Sequence, residues 1–179
     1  MLKRLQRIDE IVLERIVKMH SPSRNKMMIG ITFLGNVGLV WFMICLLFFI
    51  LHKFRSVGVN IVIGMIITYV MGEGIIKHAV GRARPCHRFD DGEQLINKPR
   101  YYSFPSGHSA ASFCVVAVVT VKCSALVWCP VLVLAVLIAF SRVYLRVHYL
   151  SDVIVGMLLG FICGLSSVAL HSYLLNKFF

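Results

Sequence analysis

The chain has 179 residues, with 19 lysines and arginines against 8 acidic residues, and its formal net charge is +11. Apolar residues make up 58% of the sequence and charged residues 15%, whereas a soluble domain carries about 25% charged residues. This composition excludes a soluble globule, a disordered tail and a disulfide scaffold, and the long apolar runs exclude a nucleic-acid-binding protein. The sequence indicates a small, basic, integral membrane protein with a single domain, residues 1–179.

Residues 1–20 are predicted to form an amphipathic helix in the plane of the membrane interface. Apolar residues recur there at helical spacing, with basic residues away from them; the apolar positions are Leu2, Leu5, Ile8, Val12 and Ile16. A basic amphipathic helix beside a membrane span lies most simply among the lipid headgroups. The alternative, a further crossing by this segment, is disfavoured by its charges.

Five later segments are predicted to cross the membrane, since about 20 apolar residues span a bilayer. The third and fourth are short as strictly apolar runs and reach spanning length with flanking polar residues that line a cavity. The predicted spans are residues 27–51, 57–76, 105–122, 125–142 and 153–175. The fold class that follows is an all-α integral membrane protein, a helical bundle of about five transmembrane helices plus the interfacial helix.

Small residues mark a helix contact in the last predicted span. Gly156, Gly160 and Gly164 repeat every four residues, so one face of that helix is bare backbone that another helix can approach closely. Packing within the bundle is the favoured interpretation, and a homodimer through this face is the alternative.

The order of the spans places the unusual polar residues at one end of the bundle. The polar segments 77–103 and 141–152 lie on the same membrane face as the interfacial helix if five segments cross. Three clusters stand there: Lys77 to Pro85, Pro105 to His108, and Ser141 to Asp152. Ionisable groups at membrane depth are costly, so these clusters are candidates for a functional site.

The basic residues of these clusters suit a multiply charged anion. Lys77, Arg84 and Arg142 are predicted to point at one end of the bundle, and the arginine fork matches phosphate oxygens. Ser106 and Gly107 open a predicted helix, whose free N–H groups favour an anion. Taken singly, a Pro-Ser-Gly sequence is usually a turn, and basic residues beside a span usually anchor headgroups.

The neighbouring charged residues have simpler interpretations. Glu73 precedes Lys77 by four residues, which predicts an ion pair on one helix face. Four other basic residues beside the spans are interpreted as headgroup anchors: Arg82, Arg88, Lys98 and Arg100.

Two histidines complete the candidate chemistry. His148 and Asp152 are four residues apart, so on a helical turn the carboxylate can accept from Nδ1–H and leave Nε2 with a free lone pair. Such a histidine serves as a nucleophile, a base or a metal ligand, and His108 arrives from another span. An isolated pair of this kind is most often structural, whereas the three clusters in order on one face favour catalysis.

The three clusters resemble the three-part signature of the type 2 phosphatidic acid phosphatase family, which also includes vanadium haloperoxidases. K-x6-R-P runs from Lys77 to Pro85, P-S-G-H from Pro105 to His108, and S-R-x5-H-x3-D from Ser141 to Asp152. All three parts match without a substitution, and the pattern of spans also fits.

The resemblance implies a helical membrane phosphatase that needs no metal and no other cofactor. His148 would attack phosphorus and form a phosphohistidine, Asp152 would orient His148, and His108 would protonate the leaving oxygen. The implied phosphate-binding residues are Lys77, Arg84, Ser106, Gly107 and Arg142.

The resemblance also implies a lipid phosphate as the substrate. Undecaprenyl diphosphate is favoured, because Arg82, Arg88 and Arg146 offer cations for a second phosphate; phosphatidylglycerophosphate and phosphatidic acid are the alternatives. A vanadate-dependent haloperoxidase and a non-catalytic lipid-binding protein are the other classes considered. The predicted location is the plasma membrane with the active site outside, as the resemblance implies, although the many basic residues on that face favour the cytoplasm by the positive-inside rule.

Overall fold

The computed structural model describes residues 2–88, 94–100 and 102–178, apart from the side chains of residues 2, 3 and 88. The roles predicted for the Leu2 and Arg88 side chains therefore lie outside the described residues. All regular secondary structure in these ranges is helical, which confirms the predicted all-α class. The α-helices are α1 (Leu2–Val17), α2 (Pro22–Gly35), α3 (Leu39–Ile50), α4 (Arg55–Tyr69), α5 (Lys77–Val80), α6 (Gly107–Lys122), α7 (Ala125–Tyr144) and α8 (Leu150–Phe178).

Four helical runs in the described part of the chain are long and apolar enough to cross a membrane. They are Pro22–Ile50, His52–Val80, Ala125–Tyr144 and Leu150–Phe178, and α6 is a shorter apolar helix. These five elements agree with a multi-pass bundle of about five membrane helices.

The first run is bent between α2 and α3. Val37 and Gly38 have φ values of 54° and 70°, in the left-handed region that interrupts a right-handed helix. After the bend, α3 packs against α4, whereas α2, before the bend, packs against α7. The bend therefore brings the end of α2 to the polar end of the bundle.

The second run carries a π-helix, Val70–Ile76, between α4 and α5. Such segments are rare and frequently lie at functional sites. Gly81 ends α5 with a φ of 61°, which glycine adopts without a Cβ penalty. The chain then turns across the polar end of the bundle.

The centre of the bundle is α6, which packs against α4, α7 and α8. The glycine face of α8 lies directly on its backbone: a methyl group at Gly156 would lie 2.6 Å from the carbonyl oxygen of Ser106, and one at Gly160 would overlap the carbonyl of Ala110. The glycine face is thus a contact within the chain. Because it is covered by α6, it is not accessible to a second copy.

The amphipathic helix α1 lies on α7 and α8 with a face different from the predicted one. Leu13 and Ile16 are buried together with the acidic Asp9, whereas Leu5 and Ile8 are exposed. Of the predicted stripe, Ile16 is buried and Val12 packs partly against the core, whereas Leu5 and Ile8 remain available to a membrane interface.

Candidate active site

The three polar clusters meet at the end of the bundle that α1 covers. Arg84 Nη1 donates to the carbonyl of Val147 at 2.9 Å, which joins the first cluster to the third. The backbone N–H of Ser106 donates to the carbonyl of Asp152 at 3.0 Å, which joins the second to the third. The structure thus brings together segments that lie far apart in sequence, as the span order predicted.

His148 is 2% exposed and lies in the turn between α7 and α8. Its Nδ1 is 2.7 Å from the carbonyl oxygen of Ser103, and because a carbonyl only accepts, Nδ1 carries the hydrogen. Arg84 Nη1 lies 3.0 Å from Nε2 and can only donate, so Nε2 carries the lone pair. This is the tautomer that a nucleophile at Nε2 requires.

Asp152 does not make the predicted hydrogen bond to His148. Its Oδ2 is 3.6 Å from Nδ1, and it accepts instead from the backbone N–H of Tyr149 at 2.9 Å. Its Oδ1 accepts from Arg82 at 2.6 Å. The carbonyl of Ser103 sets the tautomer, while Asp152 supports the turn and keeps a negative charge beside the imidazole.

The predicted cations do surround His148. Burial and then the positive charges of Arg84, Arg142 and Lys77 hold the pKa of His148 well below the ordinary value of 6.5. The imidazole is therefore neutral at physiological pH. Three cations around one neutral histidine form a site that an anion with several charges would stabilise.

The two arginines are held in different ways. Arg84 is fixed by its hydrogen bonds to the Val147 carbonyl and to His148. Arg142 donates to the hydroxyl of Thr32 on α2, and its buried Nε has no hydrogen-bond partner among the described residues. A buried guanidinium N–H without a partner is costly, and a bound anion would satisfy it.

Lys77 forms the predicted helical ion pair with Glu73, at 2.6 and 2.7 Å from the two carboxylate oxygens. A methyl group at Gly107 would lie 2.5 Å from Glu73 Oε1, so this carboxylate also lies against the start of α6. The carboxylate of Glu73 therefore lies between a cationic side chain and a helix N-terminus.

Ser106 is fully buried and caps α6. Its hydroxyl oxygen accepts from the Ser109 hydroxyl at 2.9 Å and from the Ser109 N–H at 3.4 Å, as an N-cap residue does. Its own O–H remains a donor, which is the role expected for it at a phosphate. Gly107 follows and leaves room for Glu73.

His108 lies in the first turn of α6, beside the bend between α2 and α3. Its Nε2 is 3.0 Å from Asn36 Oδ1, an acceptor, so Nε2 carries a hydrogen. His108 and Glu73 line a cavity of about 380 Å³ whose other walls include Met65 and Tyr69. This largely apolar cavity begins at the proposed proton donor.

A second cavity of about 500 Å³ is lined by Arg142, Lys98 and Arg100, among other residues. The cations that the sequence suggested for a second phosphate are arranged differently. Arg82 bonds to Asp9 and Asp152, and Arg146 is buried.

Several residues of the site were missed by sequence analysis. Arg82, interpreted as a headgroup anchor, bonds instead to two carboxylates; its position inside the first cluster was an available signal. The others carry no motif: the carbonyl of Ser103, and the side chains of Asp9, Thr32 and Asn36.

Comparison with known proteins identifies the family. The sequence profile described as PAP2, the PAP2 superfamily, matches residues 56–175. The chain is 33% identical over 133 residues to the undecaprenyl-diphosphatase of Sulfolobus acidocaldarius, covering 74% of this chain and 64% of that protein. It is 31% identical over 170 residues to phosphatidylglycerophosphatase B of Bacillus subtilis, covering 87% and 79%.

Two solved structures share the fold. The transmembrane PAP2-type phosphatidylglycerolphosphate phosphatase from Bacillus subtilis superposes with a TM-score of 0.78 at 28% identity, covering 95% of this chain and 87% of that one. Aquifex aeolicus LpxE superposes with a TM-score of 0.77 at 26% identity, covering 88% and 92%. Sequence profile, relatives and fold agree with the three clusters, and the chain belongs to the PAP2 superfamily.

Proposed function

We propose that this protein is a lipid phosphate phosphatase that works through a phosphohistidine at His148. One observation carries the proposal: a buried, neutral histidine presents an Nε2 lone pair among Arg84, Arg142 and Lys77 at one end of a membrane bundle. Membership of the superfamily and the names of its phosphatase relatives support it.

The proposed reaction has two displacements. The phosphoryl oxygens accept the hydrogen bond that Arg84 otherwise donates to Nε2, which releases the lone pair. Nε2 then bonds to phosphorus, the bond from phosphorus to the lipid oxygen breaks, and His108 protonates that oxygen. Water next attacks phosphorus while His108 takes up a proton from it, the bond from phosphorus to Nε2 breaks, and inorganic phosphate leaves as His148 returns to its neutral form.

Charge balance in this reaction falls to the surroundings of His148. The imidazole becomes positive when Nε2 bonds to phosphorus, and the carboxylate of Asp152, 3.6 Å from Nδ1, stabilises that charge. Phosphoryl transfer depends mainly on such positioning and electrostatic stabilisation.

We propose undecaprenyl diphosphate as the substrate. The name of the Sulfolobus relative supports this choice, as does the cavity that Lys98 and Arg100 line beside Arg142, where a second phosphate would find cations. Phosphatidylglycerophosphate is the second candidate, because the Bacillus relative and the superposable Bacillus structure carry that name. The long apolar helices disfavour a soluble haloperoxidase-like enzyme.

We further propose that the protein resides in the plasma membrane with its active site on the outer face, where a carrier lipid is recycled. The test of function is turnover of a panel of lipid phosphates in vesicles by the purified protein, with His148→Ala as the control. Undecaprenyl diphosphate is expected to give the highest kcat/KM. A preference for phosphatidylglycerophosphate would favour the second candidate, and no turnover of any member would support a non-catalytic lipid-binding protein.

A further inference from the structure

A carboxylate of the amino-terminal helix is buried against the catalytic end of the bundle. Asp9 is 2% exposed, and its oxygens accept from the backbone N–H of Ser151 at 2.9 Å and from the Ser151 hydroxyl at 2.6 Å. Ser151 belongs to the first turn of α8, so Asp9 caps that helix from another element. An acidic residue at a helix N-terminus also interacts favourably with the helix dipole.

Arg82 connects this carboxylate to the candidate catalytic one. Its Nη2 donates to Asp9 Oδ2 at 2.8 Å and its Nη1 to Asp152 Oδ1 at 2.6 Å. The guanidinium carbon lies 3.9 Å from the centre of the Tyr149 ring. One planar cation is thus held by two carboxylates and an aromatic face, which leaves it a single orientation.

The network ends at the nucleophile. Asp152 uses its other oxygen to hold the backbone N–H of Tyr149, the residue after His148. A displacement of Arg82 would therefore move Asp152 and the turn that presents Nε2. A misplacement of about 1 Å in a catalytic group can cost about 10²-fold in rate.

The segment that follows α1, up to the first turn of α2, is also attached to the bundle. His20 Nε2 lies 3.0 Å from the carbonyl of Tyr144, and the Tyr144 hydroxyl donates to Asn25 Oδ1 at 2.7 Å. The docked helix keeps Leu5, Ile8 and Ile11 exposed on its other side. The helix is therefore attached to the protein at two points while an apolar face remains open towards lipid.

We propose that Asp9 is a positioning residue of the active site, and that docking of α1 through Asp9 and Arg82 sets the orientation of Asp152 and His148. The interfacial helix then contributes to catalysis by positioning these groups, although it lies outside the segment that matches the superfamily profile, residues 56–175. This inference rests on the proposed phosphatase function.

The main test is Asp9→Asn in vesicles, which keeps the size of the side chain and removes its charge. We expect kcat to fall about 10- to 100-fold with KM changed less than about threefold, because Asp9 supports the reacting groups and does not touch phosphate. Asp9→Glu should recover part of kcat. Glu14→Gln, which removes an exposed acid of the same helix, is the matched control and should behave as the wild type.

Two inhibitors separate positioning from a general loss of structure. Vanadate imitates the five-coordinate transition state, whereas inorganic phosphate imitates the ground state. Asp9→Asn should weaken inhibition by vanadate in proportion to kcat and leave inhibition by phosphate nearly unchanged. A partly unfolded protein would lose both, and thermal unfolding of each variant identifies that case.

A double-mutant cycle tests the connection through Arg82. Arg82→Lys keeps the charge but loses the fork, so it should lower kcat as Asp9→Asn does, and the double variant should lose little more than either single variant. An unchanged kcat in Asp9→Asn, equal weakening of both inhibitors, or multiplicative losses in the double variant would overturn the inference. Wild-type protein that turns over no lipid phosphate would overturn the proposed function itself, and the inference with it.

Discussion

The groups around His148 suit the role of nucleophile that we propose for it. The carbonyl of Ser103 fixes the proton on Nδ1, and Arg84 covers the lone pair on Nε2. Neighbouring cations and burial keep the ring neutral. At the scale of single residues, the tautomer, charge state and accessibility of the nucleophile are thus controlled by different neighbours.

The roles of the two histidines are separable by the leaving group. His148→Ala should abolish turnover of every substrate, because it removes the proposed nucleophile. His108→Ala should slow an alkyl phosphate strongly and an aryl phosphate little, since an aryl oxide leaves without a proton. Rates with the two substrate types check this, and equal losses for both would contradict the acid role of His108.

Asp152→Asn should lower kcat by about 10²-fold and change KM little. The variant loses the negative charge near Nδ1 and weakens the bond to Arg82, but the Ser103 carbonyl still holds the tautomer. The loss should therefore be smaller than the roughly 10⁴-fold seen for the corresponding change in a serine-protease triad. Steady-state kinetics provide the measurement. A raised KM with an unchanged kcat would indicate instead that Asp152 binds substrate.

The pH dependence should reflect the lowered pKa of His148. A histidine with an ordinary pKa becomes protonated near pH 6.5 and loses its lone pair, whereas this one stays neutral to lower pH. With an aryl phosphate, and after correction for its own ionisation, kcat/KM should not decline between about pH 8 and pH 6. An acid limb with an apparent pKa near 6.5 would contradict the assignment.

At the scale of elements, the π-helix within the second membrane run determines which charges enter the site. It carries Glu73, whose carboxylate binds Lys77 and lies against the start of α6. If Lys77 binds phosphate as we propose, the substrate competes with this carboxylate for the same cation. We therefore expect the π-helix to influence the affinity of the site for phosphate.

Glu73→Gln should release Lys77 and tighten anion binding. We expect KM for a lipid phosphate and the inhibition constant of inorganic phosphate to fall several-fold together, because both compete with the same carboxylate. Glu14→Gln on α1 again serves as the control for loss of one acidic residue. Weaker phosphate binding in Glu73→Gln would indicate that the ion pair holds Lys77 in place for substrate.

At the scale of the whole molecule, apolar patterning predicted the membrane bundle and three short motifs predicted its polar end. These signals are local, since hydrophobic runs and spaced polar residues are visible in one stretch of sequence. The carbonyl of Ser103 and the side chain of Asn36 were not predictable in this way, because their roles depend on distant segments approaching each other. The role of Asp9 was not predictable for the same reason. The spacing of apolar residues in α1 suggested only a contact with the membrane interface.

The assembled site should work without a divalent metal ion. Both oxygens of Asp152 are committed to Tyr149 and Arg82, and both oxygens of Glu73 to Lys77. Activity should therefore survive an excess of chelator and be inhibited by vanadate. Turnover measured with and without chelator checks this, and loss that magnesium restores would contradict the mechanism.

The glycine face of α8 determines how far apart the backbones of α6 and α8 lie near the two histidines. His108 is the second residue of α6, and α8 begins two residues after His148. The glycines of α8 let the two backbones come into contact. The spacing of the main chain at the two histidines is therefore set by contact between the backbones of α6 and α8. A single methyl group at Gly156, next to the carbonyl of Ser106, would push the two helices apart at the active-site end.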